Sequence, residues 1–175
     1  GGTGKTVVSA EILDRFKGRV VAYHFCRHDN PAASEPGALV RSLAAMLYKN
    51  VPGYAAAVQQ QDKEALAIAT ESNLISELFP VLLLQPLQAL GEPAGGERKL
   101  IVIDALDELP GAYLKAVLRL LTDSFSQLPS WLCVFTTSRE EATIKKTLNK
   151  KYKPCELRVD EKHNQQAPLK SENYE

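Results

Sequence analysis

Apolar residues gather along this chain in two kinds of stretch that differ in period. Near-continuous runs stand at 19–26 ("RVVAYHFC"), 99–104 ("KLIVID") and 131–138 ("WLCVFTTS"), short and rich in β-branched or aromatic residues. Such runs predict strands covered on both faces, as in a parallel sheet. A weaker run, "CELRV" at 155–159, predicts a fourth. Between the strands the spacing turns helical. Val8, Ile12, Leu13 and Phe16 form a first stripe, and Leu39, Val40, Leu43, Ala44 and Leu47 a second, with Ser34 and Pro36 before it as cap and first turn. Tyr113, Ala116, Val117, Leu120, Leu121 and Leu128 form the clearest. Alternating strand and helix predicts an α/β fold: a doubly wound, mainly parallel sheet with helices on both faces. Residues 54–90 read as an insert of two or three helices with a kink or break at Pro80. "GEPAGGERK" then turns the chain into the next strand, and the polar, aperiodic 161–175 predicts a tail beyond a domain of 1–160.

Composition narrows the class. The chain has 175 residues, 45% hydrophobic and 24% charged, an ordinary globular balance with room for one sizeable core. Lys+Arg and Asp+Glu are 21 each, so no overall field draws in nucleic acid or an anionic membrane, and a charged ligand has to be captured locally. The longest strongly apolar run, "PVLLLQPL", is broken by glutamine and proline far short of the roughly 20 residues of a membrane span. Cys26, Cys133 and Cys155 show no CxxC spacing and sit in apolar runs, as reduced thiols of a cytoplasmic protein do. His24, Cys26 and His28 alternate, which on a strand spaces them by about 7 Å per step and suits tetrahedral zinc poorly. The lysines of "KKTLNKKYK" read as the solvated end of a helix.

Candidate chemistry begins with "GGTGKT" at 1–6, the end of a phosphate loop of the form GxxxxGK[ST]; the loop's first glycine falls two residues before Gly1. Gly1, Gly2, Thr3 and Gly4 let successive backbone N–H groups converge on a phosphate. The helix opening at Lys5, Thr6 and Val7 adds the positive end of its dipole. The Lys5 ammonium reaches the outer phosphates, and the Thr6 hydroxyl takes a Mg²⁺ position. The bland alternative is a flexible glycine turn before an ordinary helix.

A second signal is "KLIVIDALDEL". It sets Asp104 at the carboxyl end of a parallel strand, where a Mg²⁺ ligand belongs. Asp107 and Glu108 follow; either is available to orient or deprotonate an attacking water, and the spacing does not choose between them. The third signal is "WLCVFTTSRE", a strand ending in Thr136, Thr137, Ser138 and Arg139. Arg139 is expected at the outer phosphate, the alternative being a surface ion pair with Glu140 or Glu141. A GTPase is disfavoured: Asp107 stands where its glycine would follow the strand aspartate, and "NKKY" lacks the acid of a guanine reader. ATP is the expected nucleotide, and the acidic pair suits a water nucleophile better than kinase chemistry.

In combination, "GGTGKT", "AYHFCRHDN", "VIDALDEL" and "FTTSRE" resemble the NACHT domains of signal-transducing P-loop NTPases, over roughly residues 1–160. The repeat-containing animal and fungal branches are the most similar. The resemblance implies an ATP/ADP-operated switch that hydrolyses slowly, self-associates through the NACHT domain and signals to protein effectors, with repeat domains downstream. It further implies that Gly4, Lys5 and Thr6 hold phosphate and Mg²⁺, that Asp104 is the Walker B acid, that Asp107 and Glu108 are the extended acidic pair and that Arg139 is the sensor arginine. The strand that leads into the phosphate loop in that family is expected to be absent here, as are the modules that close over the nucleotide. Two other functions stand beside the switch: a turnover ATPase or motor, and a piece with no activity of its own.

Overall fold

Three parallel strands in the order β1 (Val20–Phe25), β2 (Lys99–Asp104) and β3 (Leu132–Thr136) carry the rest of the molecule. They coincide with the three continuous apolar runs. The computed structural model describes residues 4–29, 35–72, 74–151 and 156. The expected fourth strand at 155–159 and the tail at 161–175 fall outside the described residues, apart from Glu156, which has no regular structure.

Central β2 buries Ile101, Val102, Ile103 and Asp104. Successive side chains point to opposite faces, and the two faces are covered differently. Ile101 and Ile103 join one continuous core with Leu39, Val40, Leu43 and Leu47 of α2 (Pro36–Asn50). Leu100 points the other way and lines a cavity with Ile12 and Phe16, on the side of α1 (Lys5–Arg15), which lies against β2. Helices thus cover both faces, and the architecture is α/β on a small parallel sheet.

Two expected details change. The cap of α2 is Glu35 in extended conformation with Pro36 in the first turn, where its fixed φ suits a helix start; Ser34 lies outside the described residues. In α1 the apolar stripe is not the buried side: Val8, Ile12 and Leu13 are half-buried and Phe16, just past the helix, is 44% exposed, whereas Ser9 is fully buried. The reason is polar: Ser9 faces a buried carboxylate on β2.

The insert contains α3 (Tyr54–Gln59), α4 (Lys63–Glu71), α5 (Ile75–Phe79) and α6 (Gln85–Gln88). Pro80 opens a π-helical turn, Pro80–Leu84, that joins α5 to α6: proline offers no N–H to the helical ladder, and the chain widens instead of breaking. The third stripe likewise splits. Helix α7 (Gly111–Arg119) passes into a π turn at Leu120–Ser124 and a tighter turn at Phe125–Gln127, yet Val117, Leu120, Leu121 and Leu128 all reach the core. Helix α8 (Ala142–Lys151) follows β3. No described helix is long and apolar enough to cross a membrane.

Candidate functional site

Parallel register brings the three strand ends to one level, with Phe25 opposite Asp104 and Ile103 opposite Thr136. Pairing continues beyond them: Cys26 N–H donates to the Asp104 carbonyl at 3.0 Å, Thr137 N–H to Ile103 at 3.1 Å, and Leu106 N–H to Thr137 at 2.9 Å. Helix α1 starts at the same end. Gly4 takes a left-handed φ of 77° there, which a glycine adopts without a steric penalty, and no side chain caps the helix or places an acid in its first turn.

Asp104 organises this end. Its side chain is 2% exposed and accepts three hydroxyl hydrogen bonds: Ser9 Oγ at 2.5 Å and Thr137 Oγ1 at 2.6 Å on Oδ1, and Thr6 Oγ1 at 3.2 Å on Oδ2. A buried carboxylate is costly unless hydrogen-bonded. Here the donors come from α1 and from the end of β3, so the carboxylate also ties those two elements to β2. Thr137 is used twice, accepting from Ala105 N–H at 2.9 Å while donating to Asp104.

Ala105 holds φ 58°, the left-handed region, as the only such non-glycine residue among those described. For a residue with a Cβ this costs about 1–2 kcal/mol. The kink folds the short 3₁₀ turn Leu106–Glu108 back over the strand ends. Asp107, 4% exposed, there accepts from Arg139 N–H at 2.8 Å, pairs with Arg139 Nε at 3.2 Å and lies 3.7 Å from Lys5 Nζ. Arg139 therefore pairs inward rather than with its neighbours; Glu140 takes Lys145 at 3.1 Å. Glu108 meets His28 Nδ1 at 3.1 Å. Beneath them the Cys26 thiol is pushed up to about 12, first by burial and then by the charges of Asp104, Glu108 and Asp107.

Of the residues expected at a phosphate site, Lys5, Thr6, Asp104, Asp107, Glu108 and Arg139 stand together at this end, and Gly4 begins the helix. Val7, 70% exposed, points away into solvent. Gly1, Gly2 and Thr3 lie outside the described residues. Ser9, Thr137 and His28 join the cluster without having been assigned a role there. Ser9 carried a usable signal, since it stands three residues after Thr6 and so on the same helix face.

Residues 1–139 match the family model described as Nephrocystin 3, N-terminal. The chain belongs to this nephrocystin 3 N-terminal family. The matched span ends at Arg139 and thus contains every side chain of the cluster. No curated protein and no solved structure gives a significant match.

In this nephrocystin 3 N-terminal family member the donors suited to a metal are the Thr6 hydroxyl and the Asp104 carboxylate, both oxygen and 3.2 Å apart. Among the described residues no group of three or more His, Cys, Asp or Glu side chains is arranged to hold a metal ion by itself. The set fits Mg²⁺, which takes one or two protein oxygens and completes its shell with water and substrate phosphates. It does not fit zinc, which takes nitrogen and sulfur ligands.

Proposed function

We propose that this chain is the nucleotide-binding core of a NACHT-type P-loop switch, binding ADP and ATP with Mg²⁺, hydrolysing ATP slowly and using the bound state to control self-association and protein effectors in the cytoplasm. The observation that carries the reading is the meeting of a lysine at a glycine-led helix start, a buried strand-end aspartate and an arginine after the neighbouring strand. These come from three separate segments. Chance has little reason to bring two cations, three acids and three hydroxyls to the carboxyl end of a parallel sheet, the edge at which α/β proteins bind ligands.

In this reading the first-turn N–H groups and Lys5 hold the outer phosphates. Thr6 and Asp104 would hold Mg²⁺, which neutralises phosphate charge when bound. Ser9 and Thr137 keep the Asp104 carboxylate aimed. Arg139 sits where a terminal phosphate would draw it from Asp107, giving the protein a way to register ATP against ADP. The NACHT assignment rests on the motifs and their order, together with this geometry.

Purification of the full-length protein without added nucleotide, followed by denaturation and chromatography, is expected to release adenine nucleotide from the wild type and none from Lys5→Ala. Added ATP should turn over slowly. Brisk multiple turnover without a partner would support a motor instead, and an empty wild type that binds no Mg·ADP would refute the reading.

A further inference from the structure

Asp107 and Glu108 are adjacent in sequence but meet different partners. Both oxygens of Asp107 are engaged: Oδ1 by Arg139 N–H at 2.8 Å with Lys5 Nζ at 3.7 Å, and Oδ2 by Arg139 Nε at 3.2 Å. At 4% exposure it has little room for a water as well. Its lone pairs serve two cations that arrive from α1 and from the segment after β3. Glu108 is 34% exposed, and its one hydrogen-bonded partner among the described residues is His28 Nδ1 at 3.1 Å. That contact leaves acceptor capacity on a carboxylate with about four lone-pair sites.

His28 stands in a short loop after β1 with its side chain 76% exposed. Two residues before it, buried Cys26 is tied to β2 through the Asp104 carbonyl. The neighbouring cation, Arg27, forms a two-pronged pair with Asp29 at 2.8 and 3.0 Å. The imidazole is the side chain of this loop that hydrogen-bonds Glu108, while the Arg27 guanidinium feels the charge of the same carboxylate from further off.

Resting on the nucleotide-binding reading above, we infer that Glu108 is the catalytic carboxylate for water and that His28 is a positioning residue that aims it, while Asp107 is a clamp that pre-places Lys5 and Arg139. In the step this implies, a water oxygen bonds to the γ-phosphorus as the bond to the β,γ-bridging oxygen breaks. The bridging oxygen leaves on ADP with the electron pair, the water becomes part of inorganic phosphate, and its proton passes to Glu108 and on to solvent.

The test uses the full-length protein and two readouts: affinity for a fluorescent Mg·ADP analogue, and kcat with KM for ATP. Glu108→Gln is expected to bind ADP within about 3-fold of wild type and to lose about 100-fold or more in kcat, the scale of a general base. His28→Ala should leave ADP affinity and KM unchanged and lower kcat by about 10-fold, with His28→Asn recovering most of it because its amide restores a donor to Glu108. Asp107→Asn should act on affinity, weakening ADP binding by about 10-fold as the cations lose their clamp. Wild-type kcat in Glu108→Gln, or a kcat lost in Asp107→Asn at unchanged affinity, overturns the assignment, and wild-type kcat in His28→Ala overturns the positioning role. If the wild type binds no Mg·ADP, the reading underneath fails, and this inference fails with it; binding abolished by Lys5→Ala alongside wild-type kcat in Glu108→Gln sinks the inference alone.

Discussion

The two faces of β2 are covered by helices held in opposite ways. On one face α2 packs through Leu39, Val40, Leu43 and Leu47, all essentially without solvent exposure, into the core that contains Ile101 and Ile103. On the other, α1 buries one residue, a serine, and its link to the sheet runs through the hydroxyls of Thr6 and Ser9 to Asp104. The apolar side chains of α1 line shallow cavities of about 200 Å³ towards the amino end of β2 and about 280 Å³ at its own outer face, away from Asp104. Dispersion and hydrophobic burial are non-directional and grow with area, so the α2 face gives the sheet its stability. Hydroxyl–carboxylate bonds are directional and exchangeable, and on the α1 face they fix where the helix starts relative to the strand ends. The difference shows how one small sheet can hold a helix by apolar area on one face and by directed polar bonds on the other.

Substitutions can break that contrast. The largest effect is expected from Leu43→Ala, which opens a cavity in the α2 face and should cost about 2–5 kcal/mol, read as a fall in the urea midpoint at unchanged slope. Asp104→Ala removes the acceptor of three hydroxyls and should cost about 1–3 kcal/mol while abolishing Mg-dependent nucleotide binding. A stability loss as large as that of Leu43→Ala would mean that the α1 face is structural after all. Ala105→Gly should stabilise the fold by roughly 0.5 kcal/mol, because release of left-handed strain slightly exceeds the entropy a glycine adds to the unfolded chain; a net loss would show that the methyl is needed for packing. Smallest of all, Phe16→Ser should change stability by less than about 0.5 kcal/mol, as expected for an exposed residue at the rim of open cavities.

The contrast was only half legible in the sequence. β2 and α2 announce themselves because buried strands and amphipathic helices repeat apolar residues at fixed periods, and periodicity reports burial against apolar neighbours. Lys5, Asp104 and Arg139 are legible for another reason: Lys5 begins a helix, Asp104 ends a strand and Arg139 follows closely on the end of the next, and parallel register brings those boundaries together. In α1 the apolar period points to the wrong side, because the same logic assigns the inside to Val8, Ile12 and Phe16 while Ser9 is the residue buried. A serine adds nothing to an apolar stripe, so Ser9 is marked only by its spacing from Thr6, and its partner Asp104 lies 95 residues away. The left-handed Ala105 was invisible for a related reason, since alanine ordinarily favours helix and nothing local marks the kink. The pairing of His28 with Glu108, 80 residues apart, exists only once β1 and β2 are aligned.

The most direct test of the account is calorimetric titration of Mg·ATP into nucleotide-stripped full-length protein, wild type beside Lys5→Ala. One saturable site is expected in the wild type and an affinity at least about 100-fold weaker in the variant, the loss expected when a cation no longer meets an outer phosphate. Equal affinity in the two proteins, or no heat in either, would contradict a triphosphate held between Lys5, Asp104 and Arg139.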